Sequence, residues 1–221
     1  MINILLSTLE INNENAYEDL KEYFKPNSKI LVMPYANFPY LMEENHFEEL
    51  FHYDYGREFL DICKQFQPYG IQKEDISVIS PKDSVEFILD KMKRVDILLL
   101  DGGNPNYIAQ YMPFEVYQEM DNMEIIAGIS AGSLYQCSIY YMYKGHEDDS
   151  VPLLKHDSYP FGMAYVFDNL LVHYNPKDEI QRKAIARHSG RRYSPLVCLK
   201  DGEYLVYEDY MRVKEYFHDK Y

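Results

Sequence analysis

The chain has 221 residues, of which 47% are hydrophobic and 26% are charged, and this balance is typical of a folded protein rather than of a disordered segment. Its formal net charge of −14 disfavours binding to the phosphates of nucleic acid. Three cysteines without CxxC spacing, a start that lacks a signal-peptide pattern and the absence of an apolar run approaching ~18 residues together predict a cytoplasmic protein without a membrane span.

The first part of the chain alternates short apolar runs with longer amphipathic stretches. Strands are predicted at 2–7, 29–36, 75–80 and 96–103, and helices at 14–24, 43–66 and 84–95. Strands that are apolar on both faces and separated by helices predict a mostly parallel sheet covered on both sides. We therefore expect an α/β fold of three layers that forms a single domain over residues 1–221.

The second part of the chain supplies two further strand ends and a predicted hairpin. The apolar run MEIIA ends at the pentapeptide GISAG, and the run NLLV ends at His173. The segment 195–208 predicts a hairpin that turns at Asp201 and Gly202. We interpret the short basic cluster at 187–194 as a solvated helix end. In open parallel sheets, sites form beyond the carboxyl ends of the strands, so GISAG and the segment DGGNPN are the candidates.

The pentapeptide GISAG makes Ser130 a candidate nucleophile. A serine nucleophile needs a sharp strand-to-helix turn, and Gly128 and Gly132 are the small residues that let neighbouring segments approach such a turn. The amide of Ala131 would then point towards a developing oxyanion. The alternative is a tight turn with an incidental serine. Cys137 is interpreted as a small apolar core residue rather than a reactive thiol.

A serine nucleophile requires a base and an orienting acid. His173 lies at a strand end, as Ser130 does, although a histidine there could equally cap the Asn-Pro turn that follows. The polar segment between the two offers Glu147, Asp148 and Asp149 as acids. A solvated acidic loop is the alternative for these three carboxylates.

Three segments together resemble the peptidase E family of serine peptidases, which includes alpha-aspartyl dipeptidase and, more distantly, cyanophycinase. They are LLLDGGNPNYIAQY, IIAGISAGSLYQC and FGMAYVFDNLLVHYN, and the resemblance extends over about the first 190 residues. The family's fold is similar to that of class I glutamine amidotransferases. The resemblance therefore implies a flavodoxin-like α/β/α arrangement.

The resemblance also implies a role for individual residues. Ser130 matches the nucleophile, His173 the general base and Asp149 the acid, while the backbone amides of Gly103 and Ala131 match the oxyanion hole. The function expected from it is a serine peptidase of the exopeptidase or dipeptidase kind that hydrolyses a small peptide or amide. No metal or cofactor is implied, and we expect a monomer or homodimer.

Two positions depart from the family pattern. Pro105 stands where the family usually has threonine, which removes a hydroxyl and an amide donor. The segment after GISAG lacks the arginine of the aspartyl dipeptidases, and Lys144 is the nearest cation. Aspartyl specificity is therefore left open. A non-catalytic, amidotransferase-like binding module is the alternative function.

Overall fold

The computed structural model describes residues 1–43, 45–146, 153–190 and 196–218. The strands are β1 (Ile2–Leu6), β2 (Ile30–Met33), β3 (Ile76–Val78), β4 (Ile97–Leu100), β5 (Ile125–Ile129), β6 (Asn169–Leu171), β7 (Leu196–Cys198), β8 (Tyr204–Glu208) and β9 (Met211–Tyr216). The helices are α1 (Glu14–Leu20), α2 (Phe38–Leu41), α3 (His46–Phe51), α4 (Arg57–Phe66), α5 (Val85–Met92), α6 (Pro105–Tyr111), α7 (Phe114–Met120), α8 (Ala131–Gln136) and α9 (Glu179–Ser189). Within the described ranges, no helix combines the length and apolar character that crossing a bilayer requires.

A seven-stranded sheet with the order β3-β2-β4-β5-β1-β8-β9 forms the centre of the described structure. The strands β1 to β5 pair in parallel, and β8 and β9 extend the sheet in the antiparallel sense. A second, two-stranded sheet consists of β6 and β7, which are also parallel. Helices flank the central sheet, so the predicted three-layer α/β/α fold is confirmed.

The central strands are apolar along their whole length because both faces of the sheet are covered. Every residue of β2 and β4 is buried, as expected for a parallel sheet between two helical layers. From one side, α4 packs Phe59, Ile62 and Phe66 into the same core. Full burial of each such side chain stabilises the fold by about 1.5–3 kcal/mol relative to exposure.

The single helix predicted at 43–66 is wrong, because the chain breaks between α3 and α4. Gly56 precedes α4 with extended backbone angles, φ −63° and ψ 121°. A Cβ atom at Gly56 would lie 2.4 Å from the backbone nitrogen of His52. The apolar periodicity continues through the break, which is why the pattern alone predicts one helix.

The hairpin predicted at 195–208 is also wrong, because β7 and β8 belong to different sheets. β7 pairs with β6, whereas β8 pairs with β1 and β9. The hairpin is formed by β8 and β9, which turn at Asp209 and Tyr210 with φ values of 45° and 70°. Positive φ at both positions matches the twist of a two-residue hairpin turn. The Asp201–Gly202 turn instead leads the chain from the small sheet into the central one.

The basic cluster begins in the last turn of α9, where its first two residues contact the rest of the fold. Arg187 donates two hydrogen bonds to Asp157, at 2.9 and 2.8 Å, and this ion pair lowers the pKa of Asp157 to about 2. His188 is buried against the rings of Tyr141 and Tyr159. The prediction of a solvated helix end is therefore wrong for His188, whereas the Arg187 side chain in the last turn of α9 remains partly exposed beside its carboxylate partner. Residues 191–195 lie outside the described residues.

The break before α4 predicts a stability difference between two glycine variants. Gly56→Ala should lower the free energy of unfolding by about 1–3 kcal/mol, because the new methyl group overlaps the His52 backbone. Gly190→Ala is the matched control, since its Cβ would lie 3.5 Å from the nearest atom and its φ is −73°. Chemical denaturation should show a change below about 1 kcal/mol for the control. Equal effects of the two substitutions would contradict this explanation of the break.

Candidate active site

Ser130 occupies a strained turn between β5 and α8. Its backbone angles are φ 48° and ψ −107°, in a region that residues with a side chain rarely adopt. The turn is fixed to the sheet by the Ser130 amide, which donates to the carbonyl of Leu6 at 2.9 Å. Strain of this kind costs about 1–3 kcal/mol and is concentrated at functional sites. The backbone therefore marks Ser130 as a functional candidate independently of its sequence motif.

The two glycines of GISAG are required because the start of α8 lies against the ends of the strands. A Cβ atom at Gly132 would lie 2.4 Å from the carbonyl oxygen of Leu100. A Cβ atom at Gly128 would lie 2.5 Å from the carbonyl oxygen of Gly132. No side chain fits at either place without moving the backbone. The small residues thus permit the turn, as the sequence predicts.

The side chain of Ser133 stabilises the same turn, and the sequence did not point to this residue. Its buried hydroxyl accepts a hydrogen bond from the Leu6 amide at 2.9 Å. The same oxygen lies 2.6 Å from the carbonyl oxygen of Gly128 and 2.8 Å from that of Leu6. Ser133 therefore ties the first turn of α8 to both β1 and β5. A hydroxyl residue in the first turn of a helix that follows a buried strand is the signal that could have found it.

His173 meets Ser130 although the two residues follow strands of different sheets. His173 Nε2 lies 2.8 Å from Ser130 Oγ. The histidine also has a positive φ of 54°, and its backbone is held on both sides. Its amide donates to Ser7 Oγ at 2.8 Å, and its carbonyl accepts from Gln181 Nε2 at 3.0 Å. The structure thus brings the two predicted residues together.

The carboxylate beside the imidazole is that of Asp201. Asp201 Oδ1 lies 2.7 Å from His173 Nδ1. The acid expected from the sequence was Asp149, with Glu147 and Asp148 as alternatives, and these three lie outside the described residues. Asp201 follows β7 as His173 follows β6, so the rule of strand ends could have found it. The predicted hairpin concealed that strand end.

Hydrogen bonds connect the turn that carries Asp201 to the end of β1. Gly202, with φ 78°, donates its amide hydrogen to Thr8 Oγ1 at 2.8 Å. The buried Ser7 hydroxyl lies 3.4 Å from Asp201 Oδ1 and 3.3 Å from the carbonyl oxygen of Leu199. Two consecutive hydroxyl residues after β1 therefore position the segment that bears the acid.

The two residues predicted to supply the oxyanion hole lie on either side of Ser130. The loop after β4 approaches Ser130 closely, because a Cβ atom at Gly102 would lie 3.5 Å from Ser130 Cβ. The next residue, Gly103, has φ 133° and borders the same pocket as Ser130. Ala131 is the first residue of α8, where amides have no partner within the helix.

Pro105 departs from the family pattern at a place where proline is well accommodated. It is the first residue of α6, a position at which the missing N–H costs no helical hydrogen bond. Asn104 caps this helix, since its side-chain oxygen accepts from the Asn106 amide at 3.0 Å. The proline therefore starts a helix beside the site without disturbing the loop before it.

Ser130 and His173 border two openings of different character. One is a pocket with mostly apolar walls, bordered also by Gly103, Pro105, Leu134, Tyr141, Met142, Tyr143, His146, Leu171 and Val172. The other is a cleft whose walls include the carboxylates of Glu10, Glu58, Asp61 and Asp101. No lysine or arginine borders this cleft in the described part of the chain. The electrostatic potential in this cleft therefore favours cationic over anionic groups.

Asp101 is the most strongly perturbed carboxyl group of this cleft. Burial at the end of β4 raises its pKa to about 6, and the charge of Glu58 acts in the same direction. Hydrogen bonds from the amide of Gly102 at 2.7 Å and from Asn37 Nδ2 at 3.3 Å oppose the shift. Because the folded pKa exceeds the ordinary value of 3.8, ionisation of Asp101 destabilises the folded protein.

Asp101→Asn should therefore change how stability depends on pH. From about pH 4 to pH 6.5 the wild-type protein should lose roughly 2 kcal/mol relative to the variant, since only the wild-type protein must ionise a half-buried carboxyl group. Denaturant unfolding of both proteins across this range measures the difference, and groups common to both cancel. A constant difference over the whole range would contradict the raised pKa.

Cys137 and the potential metal ligands contribute no further chemistry to the described site. Cys137 is fully buried in an apolar cluster, which confirms its predicted place in the core, and burial raises the pKa of its thiol. Among the described residues, no group of three histidine, cysteine or acidic side chains is arranged to hold a metal ion.

Comparison with known proteins gives a structural match without a sequence match. No family model and no curated protein matches the chain. A crystal structure from Listeria monocytogenes EGD-e, named "Putative Peptidase E Protein", superposes with a TM-score of 0.66 at 16% identity and covers 98% of each chain. A peptidase from an acI-B1 Actinobacterium has a TM-score of 0.61 at 14% identity, with 93% of this chain and 82% of the other covered. The chain therefore has the peptidase E-like fold that its sequence predicts.

Proposed function

We propose that this chain is a serine hydrolase that cleaves a small peptide or amide, with Ser130, His173 and Asp201 as its catalytic triad. One observation carries the proposal. Ser130 Oγ, the two ring nitrogens of His173 and Asp201 Oδ1 form a continuous chain, with links of 2.8 and 2.7 Å, at a strained strand-to-helix turn. A nucleophile, a base and an orienting acid in this order are what serine catalysis requires.

The proposed chemistry assigns one task to each side chain. Ser130 Oγ attacks the substrate carbonyl carbon while His173 Nε2 accepts the hydroxyl proton. His173 then gives this proton to the leaving nitrogen, and water repeats the cycle to release the acyl group. Asp201 holds the tautomer with hydrogen on Nδ1 and stabilises the imidazolium that forms.

Backbone amides are proposed to stabilise the charge on the carbonyl oxygen. Gly103 and Ala131 are the candidates, because they lie in the loop beside Ser130 and at the residue that follows it. A donor at such a place contributes about 2.7–4 kcal/mol to the stabilisation of the transition state. This assignment needs no side chain, so Pro105 does not weaken it.

Two further observations favour an enzyme over a non-catalytic binding module. The first is strain, since a binding scaffold has no need of positive φ at both Ser130 and His173. The second is the carboxylate of Asp201, which lies beside His173 Nδ1, where a catalytic acid is needed. The names of the two superposed structures, both peptidases, support peptide bonds as the substrate class.

Amide substitution of the acid tests the proposed triad. Asp201→Asn should keep the fold and reduce kcat by about 10³–10⁴, because the imidazole loses the partner that fixes its tautomer. Asp149→Asn, Asp148→Asn and Glu147→Gln are the matched comparisons, since each makes the same change at an acid that the sequence proposed. Rates on small peptides and melting temperatures would be measured for all four.

The Ser130→Ala variant provides the baseline for these rates. A large loss in Asp149→Asn together with a normal rate in Asp201→Asn would return the acid to the position that the family resemblance implies. Hydrolysis that persists at the wild-type rate in Ser130→Ala would show that the triad is not the catalytic site.

A further inference from the structure

The pocket beside Ser130 has mostly apolar walls. Leu134 of α8, Met142, Leu171 of β6 and Val172 are buried residues that border it. Such side chains offer contact area but no hydrogen bond to a polar group of a substrate. A charged group that entered would lose its hydration without compensation.

The two tyrosines of this pocket do not change its character. The hydroxyl of Tyr141 donates to the carbonyl of Ala184 at 3.1 Å. That of Tyr143 lies 2.9 Å from Nδ1 of His146. Both hydroxyl groups therefore already have partners in the fold, and the tyrosines contribute chiefly their rings to the walls.

The described residues around this pocket offer an anionic side chain no permanent positive charge. No lysine or arginine borders it in the described part of the chain, and Lys144, the nearest cation in sequence to the GISAG segment, is exposed and does not border it. On the other side of the nucleophile lies the cleft that carries Asp101 and three further acids. A carboxylate in the substrate is thus disfavoured on both sides of Ser130, by desolvation on one and by repulsion on the other.

We infer that the pocket receives an uncharged, apolar side chain of the substrate, borne by the residue that supplies the scissile carbonyl. This inference rests on the proposed function. The carbonyl carbon must lie at Ser130 Oγ with its oxygen towards the amide of Gly103, and these two residues border both the pocket and the acidic cleft. The acidic cleft suits the cationic amino group of the substrate, so the pocket remains for the apolar side chain. The side chain nearest to that carbon is the one on the acyl side. The enzyme is then a peptidase for apolar residues rather than for aspartyl residues.

A substrate series of matched shape tests the inference. Leu-Ala, Asn-Ala and Asp-Ala differ at the first residue in polarity and charge but little in size. Each would be assayed with a free and with an acetylated amino group, so that the charge of the amine is controlled. We expect kcat/KM for leucine to exceed that for aspartate by at least about 100-fold, with asparagine between them, because an apolar wall cannot replace the lost hydration.

Pocket variants test whether these residues set the preference. Leu134→Ala and Met142→Ala enlarge the pocket, so each should raise the ratio of kcat/KM for Phe-Ala over Leu-Ala by about tenfold. Leu170→Ala is the matched control, since Leu170 is buried in the same apolar cluster but does not border the pocket. The control should lower the melting temperature and leave the ratio unchanged.

The outcomes separate the specificity from the proposed function. A preference for aspartate, or equal kcat/KM for leucine, asparagine and aspartate at the first residue, would overturn the inference. Hydrolysis that disappears in Ser130→Ala would in that case leave the proposed function standing. An equal change of ratio in Leu170→Ala would show that the pocket does not select the side chain. Absence of hydrolysis of any dipeptide would overturn both.

Discussion

The close approach of the first turn of α8 to the ends of β4 and β5 is the constraint on which the proposed site depends. Contact between Gly132 and the carbonyl of Leu100 leaves no room for a side chain, and it forces the chain to turn within a single residue, Ser130. Strain of about 1–3 kcal/mol must be offset by the surroundings. The buried Ser133 hydroxyl and the packing of the helix on the sheet provide that compensation. The serine side chain is consequently held in one place before any substrate arrives.

The end of β1 connects this turn to the rest of the site. The carbonyl of Leu6 accepts the amide hydrogen of Ser130, and the hydroxyl of Ser7 accepts that of His173. The hydroxyl of Thr8 accepts the amide hydrogen of Gly202, which follows Asp201. Three consecutive residues thereby fix the backbone of three segments that are distant in sequence. Because β1 lies between β5 and β8 in the central sheet, its position is set by pairing on both sides. Precise geometry follows from placing the site on rigid elements.

The sequence predicted those features that depend on local pattern. Continuous apolar runs identified the parallel strands, and the glycines around Ser130 identified the turn. The strand-end rule offered Asp201 as well, but the predicted hairpin concealed the end of β7. Asp201 is brought to His173 by the pairing of β6 with β7 and by the two hydroxyl residues after β1. Long-range pairing also explains why the hairpin predicted at 195–208 is wrong. The chain does turn at Gly202, but β8 pairs with β9 rather than with the strand before that turn. The break between α3 and α4 was hidden by an apolar periodicity that both helices share.

The central claim is that Ser130 is a nucleophile activated by its two partners. Reaction with a fluorophosphonate, followed by mass spectrometry of the digested protein, tests it most directly because the reagent needs no particular substrate side chain. The account predicts one adduct, on the peptide that contains Ser130 and at that serine rather than at the buried Ser133. Labelling should slow markedly in Asp201→Asn and be absent in Ser130→Ala. A folded wild-type protein that remains unlabelled, or one labelled equally fast without the Asp201 carboxylate, would contradict the claim.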